Sequence, residues 1–309
     1  MLTRRRAVTW LAAGIALPAL LSPALAQAER IKAVATFSIV ADIVRNIGGD
    51  RLDLAVLVGP DGDGHVYSPT PADARRIADA RIVFANGLRF EGWISRLLKA
   101  SGTKAPVVET AKGVPPLKSE AETVHAAGHG HGHDEIDPHA WQDVANAKIY
   151  AANIRDGLIA TDPAGKAAYE ANAAAYLTKL DELEAEVKAA VARIPPERRR
   201  IITSHDSFAY FERAYGLDFV APQGVSTEAE ASAKDVARII QQMKREKISA
   251  VFLENVSDPR LIERIAKETG ARIGGRLYSD ALSGEGGAAA TYIDMMRHNI
   301  RAFSAALSS

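Results

Sequence analysis

The 309-residue chain has no cysteine. That excludes disulfides, thiolate metal ligands and a lipid-modified cysteine, so burial alone must hold the fold and any metal must be met by nitrogen and oxygen. An excess of charge of one sign is also missing, with 38 basic and 38 acidic residues. Residues 1–26 hold Arg4, Arg5 and Arg6 and no acidic residue, so without them the chain carries 35 basic against 38 acidic residues, a formal charge of −3. That balance points to no nucleic-acid or anionic-lipid partner. The G-x-x-x-x-G-K, G-x-S-x-G and H-E-x-x-H signatures are absent, as is any sequence-level repeat. Long apolar runs are confined to residues 7–21, shorter than the roughly 20 residues a membrane span needs. This run follows the three arginines and ends at Ser22-Pro23, before the small-x-small triplet Ala24-Leu25-Ala26. It reads as a secretory signal peptide (1–26) cleaved after Ala26, which places an untethered, non-lipidated protein in the periplasm. Arginine-rich starts are common, so Thr3-Arg4-Arg5 does not decide between the general and twin-arginine export routes.

About 280 residues remain, enough for two cores. Alternating strand and helix patterns run through both halves. Residues 31–40 are expected to begin as a strand and run into a helix near 39–47, with further strands over 52–58, 82–85 and 107–108 and helices over 72–80 and 92–100. Residues 114–137 lose the pattern and read as a surface loop, followed by a helix over 146–160. Asp162-Pro163 then opens a long helical pattern to about residue 193, with Asp162 as N-cap and Pro195-Pro196 as the stop. In the second half, strands are expected over 200–203, 218–221, 250–253 and 272–277, and helices over 207–215, 233–246, 259–269 and 288–307. The expected fold is α/β: two Rossmann-like lobes with mostly parallel sheets, joined by one long rigid helix. The division is 27–160 for the first lobe, with a loop over about 114–137, 161–194 for the linking helix and 195–309 for the second lobe.

Chemistry rests with histidine. His65 lies in the glycine- and proline-rich Asp61-Gly-Asp-Gly-His65-Val-Tyr-Ser-Pro-Thr-Pro71, and His139 in Asp137-Pro-His139-Ala-Trp141. His205 follows a strand in Ser204-His205-Asp-Ser-Phe208, and Asp280 follows another in Leu277-Tyr-Ser-Asp280. Each sits beyond a strand or at a helix start, where α/β lobes gather ligand-binding groups. Taken singly, each fits a structural role better than a functional one, and long separations do not say that they meet. His125, His129, His131 and His133 form a separate His/Gly run, with three of them on one side of an extended segment. The run reads as a weak metal-sampling loop or a plain solvated one. His298 reads as structural or exposed. Trp93, Trp141, Phe208 and Phe211 read as packing, and Glu254 as an imidazole-bracing acceptor or a surface ion pair.

Several blocks resemble one family: Gly64-His65-Val-Tyr67 with Pro69-Thr-Pro71, Ala85-Asn-Gly-Leu88 with Glu91-Gly-Trp93, Asp137-Pro-His139, Ser204-His205-Asp-Ser-Phe208 and Phe252-Leu-Glu254. They are similar, in order and across the mature chain, to the metal-binding solute receptors of ABC importers for zinc and manganese, the cluster A-I or ZnuA/TroA-like group. The resemblance implies a non-enzymatic monomeric receptor. It would capture one Zn2+ tightly with His65, His139, His205 and Asp280 and deliver it to the permease of an ABC importer, with a periplasmic metallochaperone as a further partner. Three imidazoles and one carboxylate suit tetrahedral zinc and close the site to the water a catalytic zinc keeps. The His-rich loop would hold extra ions weakly. Other readings are a manganese or iron(II) receptor, for which a carboxylate is expected in place of His205, a secreted zinc hydrolase and, more remotely, an adhesion module.

Overall fold

The computed structural model describes residues 30–118 and 136–307. The expected leader and the histidines 125, 129, 131 and 133 lie outside the described residues. The first lobe alternates β1 (Ile31–Phe37), α1 (Ser38–Gly48), β2 (Leu52–Val58), α2 (Pro71–Asp79), β3 (Ile82–Ala85), α3 (Ile94–Ser101) and β4 (Val107–Glu109). Its four strands are all parallel, in the order β2-β1-β3-β4. β1 is buried at every position but Lys32, the near-continuous apolar pattern of a strand covered on both faces. α2 starts where Thr70 and Asp73 cap each other reciprocally and Pro71 takes the first helical position.

The stretch read as a loop over 114–137 contains strand structure at the residues described. Its ends, β5 (Leu117–Lys118) and β6 (Ile136–Asp137), pair antiparallel, and Val114 and Asp137 are buried. Proline, glycine and charge masked a pairing that depends on contacts 20 residues apart. α4 (Val144–Thr161) is capped by Asp143, whose Oδ1 accepts the Ala145 N–H at 2.9 Å.

The long helix is α5 (Lys166–Ala192), whose 27 residues span roughly 40 Å. Asp162 does not cap it. A 3-10 turn over Pro163–Gly165 intervenes, and the Asp162 carboxylate instead accepts from Arg51 Nη2 at 2.6 Å and Tyr169 Oη at 2.8 Å. The Asp-Pro signal marked the turn correctly, but a guanidinium 111 residues away competes for the carboxylate. α5 buries one stripe, Tyr169, Ala173, Tyr176, Leu180, Leu183, Val187 and Val191, at the three- and four-residue spacing of one helix face.

The second lobe contains β7 (Arg200–Ile202), α6 (Ala209–Tyr215), β8 (Asp218–Val220), α7 (Ala233–Glu246), β9 (Ala250–Glu254), α8 (Pro259–Thr269) and β10 (Arg272–Leu277). Its parallel sheet has the order β10-β9-β7-β8. The terminal helix α9 (Tyr292–Leu307) begins later than residue 288, because Ser283 and Ala289 pair through their backbones and close a turn first. One core runs through both lobes, α5 and α9, and includes Phe37, Trp141, Tyr150, Phe208, Phe211, Tyr292 and Phe303. A smaller core under α7 and α8 contains Ile202, Val236, Ile239, Met243, Val251, Ile262 and Ile265. The lobes therefore share apolar packing, and the loops at the strand ends that carry His65, His139, His205 and Asp280 are mounted on a common frame.

Candidate metal centre

His65 lies in the loop that leaves β2. Its backbone N–H donates to Asp63 Oδ1 at 2.9 Å, and Trp93 Nε1 donates to the Gly64 carbonyl at 2.8 Å. The Phe90 ring meets the imidazole edge-on at 4.7 Å between centroids, and a Cβ at Gly64 would lie 2.5 Å from that ring, which is why glycine precedes the histidine. His139 follows β6. Asp137 Oδ1 accepts both the His139 backbone N–H, at 2.8 Å, and its Nδ1, at 2.7 Å. Asn86 Nδ2 donates to the intervening Pro138 carbonyl at 2.9 Å.

His205 follows β7, and Glu254 at the end of β9 braces it. Glu254 Oε1 accepts the N–H groups of Ser204 and His205 at 2.6 and 3.0 Å. Its Oε2 stands 2.7 Å from His205 Nδ1. Asp280 follows β10. The carbonyl of the preceding Ser279 accepts from Trp141 Nε1 and Gln142 Nε2, both at 2.8 Å, which ties the Asp280 loop to the turn after His139.

These placements bring His65, His139, His205 and Asp280 together, with one potential ligand atom of each within 4.8 Å of the others. Asp280 Oδ2 is 3.0 Å from His205 Nε2 and 3.3 Å from His65 Nε2, and its Oδ1 is 3.5 Å from His139 Nε2. All four residues are buried. Because Asp137 and Glu254 occupy the Nδ1 sides of two rings, the Nε2 atoms face inward. The Nε2 atoms of His65 and His139 approach to 3.2 Å, a distance at which two neutral acceptor lone pairs repel unless a cation or proton lies between them. Asp280 Oδ1 is buried without a hydrogen-bond partner, a lone pair left for something absent from the chain itself.

Burial works against a charged His139 ring, but Asp280 and Asp137 outweigh it and raise its pKa from 6.5 to about 9. His205 follows the same logic, with burial opposed by Glu254 and Asp280, and rises well above 6.5. Burial would raise Asp280, yet His205 and His139 hold it well below 3.8. Without metal the centre is thus a zwitterionic cluster, and an incoming cation replaces protons. A metal-binding site of histidine and aspartate donors is present.

Residues 33–306 match the family described as "ZnuA: Zinc-uptake complex component A periplasmic". The chain belongs to this family. The manganese-binding lipoprotein MntA of Halalkalibacterium halodurans is 36% identical over 91% of the chain and 89% of its own length. The manganese ABC transporter substrate-binding lipoprotein PsaA of Streptococcus pneumoniae is 33% identical over 91% of the chain and 90% of its own length. Among solved structures, the periplasmic zinc binding protein TroA of Treponema pallidum superposes with a TM-score of 0.82 at 30% identity, covering 91% of the chain and 100% of its own. This ZnuA-family chain is a metal-binding receptor of an ABC transporter, not an enzyme, and its expected partner is a membrane permease.

The relatives correct the expected location. Proteins matched over nine-tenths of the chain are named lipoproteins, which points to a receptor anchored at the membrane rather than one free in the periplasm. The sequence reading argued from missing cysteine. That composition speaks to one anchoring chemistry and not to where the receptor works. Among the described residues no helix is long and apolar enough to cross a membrane.

Glu254 is buried against His205 and not on the surface. Asp137 went unassigned in the sequence, although an aspartate two residues before a histidine can bond its backbone in a local turn. Asp63, also unassigned, carries the same local signal before His65, but its second partner, Thr227, is 164 residues away and left no trace in the sequence. His298 takes no part in the cluster. Its Nε2 lies 2.9 Å from the Arg276 carbonyl and its ring packs on Tyr278. Trp93, Trp141, Phe208 and Phe211 are core, as expected.

Proposed function

We propose that this ZnuA-family receptor captures Zn2+ with His65, His139, His205 and Asp280 as ligands and hands it to its permease. The carrying observation is the buried convergence of three imidazole nitrogens and one carboxylate. Nitrogen-rich four-fold sets suit zinc, a borderline ion content with tetrahedral geometry, whereas manganese favours more oxygen. Two rings braced by carboxylates support this reading, since such bracing fixes the tautomer that presents Nε2. The receptor acts as a monomer divided at about residues 160 and 195, takes the ion from a metallochaperone, and samples ions weakly with His125, His129, His131 and His133.

Manganese is the second reading, favoured by the names of MntA and PsaA. Asp280 presents both oxygens to the cluster, so bidentate binding would supply a fifth donor and bring the set closer to manganese's preference. Metal analysis of the purified protein, combined with direct competition between the two ions, separates the readings. One zinc per chain that excess manganese does not displace supports the proposal. Preferential retention of manganese overturns it.

A further inference from the structure

The loop that carries His65 is fastened to the opposite lobe. Asp61 donates its backbone N–H to the Leu282 carbonyl at 2.9 Å, and its Oδ1 accepts from Asn255 Nδ2 at 3.0 Å. Leu282 lies just beyond Asp280, and Asn255 directly follows Glu254, the brace of His205. Two residues on, Asp63 divides its carboxylate. Oδ1 accepts the His65 backbone N–H at 2.9 Å, and Oδ2 accepts the Thr227 hydroxyl at 2.6 Å. Thr227 belongs to the segment between β8 and α7 in the second lobe.

The loop has little room to settle elsewhere. Asp61 holds a left-handed backbone with φ of 53°. A Cβ at Gly62 would lie 2.8 Å from the Val58 side chain. His139 and His205 are each braced at Nδ1 by a carboxylate of their own lobe, whereas His65 is placed through its backbone.

We infer that Asp63 is a positioning residue that couples lobe closure to the placement of His65, with Thr227 as its catch on the second lobe. When the lobes part, Asp63 loses the partner that orients its carboxylate, and His65 is the first ligand set loose while the other two stay braced. Release then starts from one lobe's loop, and a permease that draws the 221–232 segment away from Asp63 opens the site without unfolding either core. The inference rests on the reading of His65 as a ligand.

The test follows Zn2+ release from the full chain into excess chelator by stopped flow. Thr227→Val keeps the side chain's shape, leaves the Asp63–His65 bond and removes the catch. It should speed release about tenfold, equivalent to about 1.4 kcal/mol, with association changed less than about twofold. Thr227→Ser should restore slow release. In the metal-bound Thr227→Val protein, hydrogen exchange should rise across residues 59–66. Asp63→Ala should release at least as fast, and adding Thr227→Val to it should change nothing further. Unaltered release in Thr227→Val, or additive effects in the double variant, overturns the coupling while leaving the ligand assignment intact. Tight zinc retained by His65→Ala overturns the ligand assignment and the coupling with it.

Discussion

Loading this receptor at neutral pH means displacing protons. His139 has a pKa of about 9 in the metal-free cluster, because Asp280 and Asp137 outweigh burial, and as the proposed ligand its Nε2 is open to metal only when unprotonated. At pH 7 its ring is protonated about a hundredfold over neutral, which weakens apparent metal affinity by about 3 kcal/mol relative to pH above 9. His205 is raised well above 6.5 as well and adds a second competing proton. Affinity should therefore climb about tenfold from pH 7 to pH 8 through the His139 proton, and more steeply where the His205 proton is displaced as well. Three unperturbed imidazoles would behave differently, with a plateau already reached by about pH 7.5. Chelator competition across pH 6.5–9.5 reads the slope. Calorimetry in two buffers of different ionisation enthalpy counts the protons released. A flat affinity between pH 7 and 8, with no buffer-dependent heat, would refute the proton-loaded cluster.

Metal-free stability should run the other way. His139 gains its partners on folding, so its stabilisation is full below pH 6.5 and lost as pH rises through about 9, a decline of about 3 kcal/mol that urea melts at pH 6.5 and 9 would reveal. Asp280, held low, contributes above pH 3.8 and loses that contribution as pH falls through its depressed value, which acid unfolding of His205→Ala against the parent would check. Glu254→Gln would turn an amide donor toward His205 Nδ1, favouring the tautomer with hydrogen on Nε2; zinc affinity by titration should drop about 10- to 100-fold with the fold retained. His205→Glu should lower the zinc-to-manganese preference at least about tenfold, about 1.4 kcal/mol, while His298→Glu leaves it unchanged; equal ratios in competition titrations would remove His205 from the ligand set. Deleting residues 125–133 should abolish weak binding and keep one tight ion per chain, as equilibrium titration would show.

Local patterns alone determined much of this protein. Period-two and buried apolar runs placed β1, β2, β3 and β9, because short-range sterics decide such features. Histidines just past strand ends were legible as site candidates for the same reason: parallel sheets expose their loops at that end. Only tertiary structure decided the rest. Asp162 left its expected cap for Arg51 and Tyr169, residues 117–118 found 136–137, and Glu254 went inward to His205. The site itself is of this second kind, since the Nε2 atoms of His65 and His139 and the carboxylate of Asp280 meet across lobes that no sequence period relates. Spacing along a chain governs a helix face or a strand face, whereas the approach of Asp280 to His65 and His139 exists only once two cores have packed and fixed where their loops point.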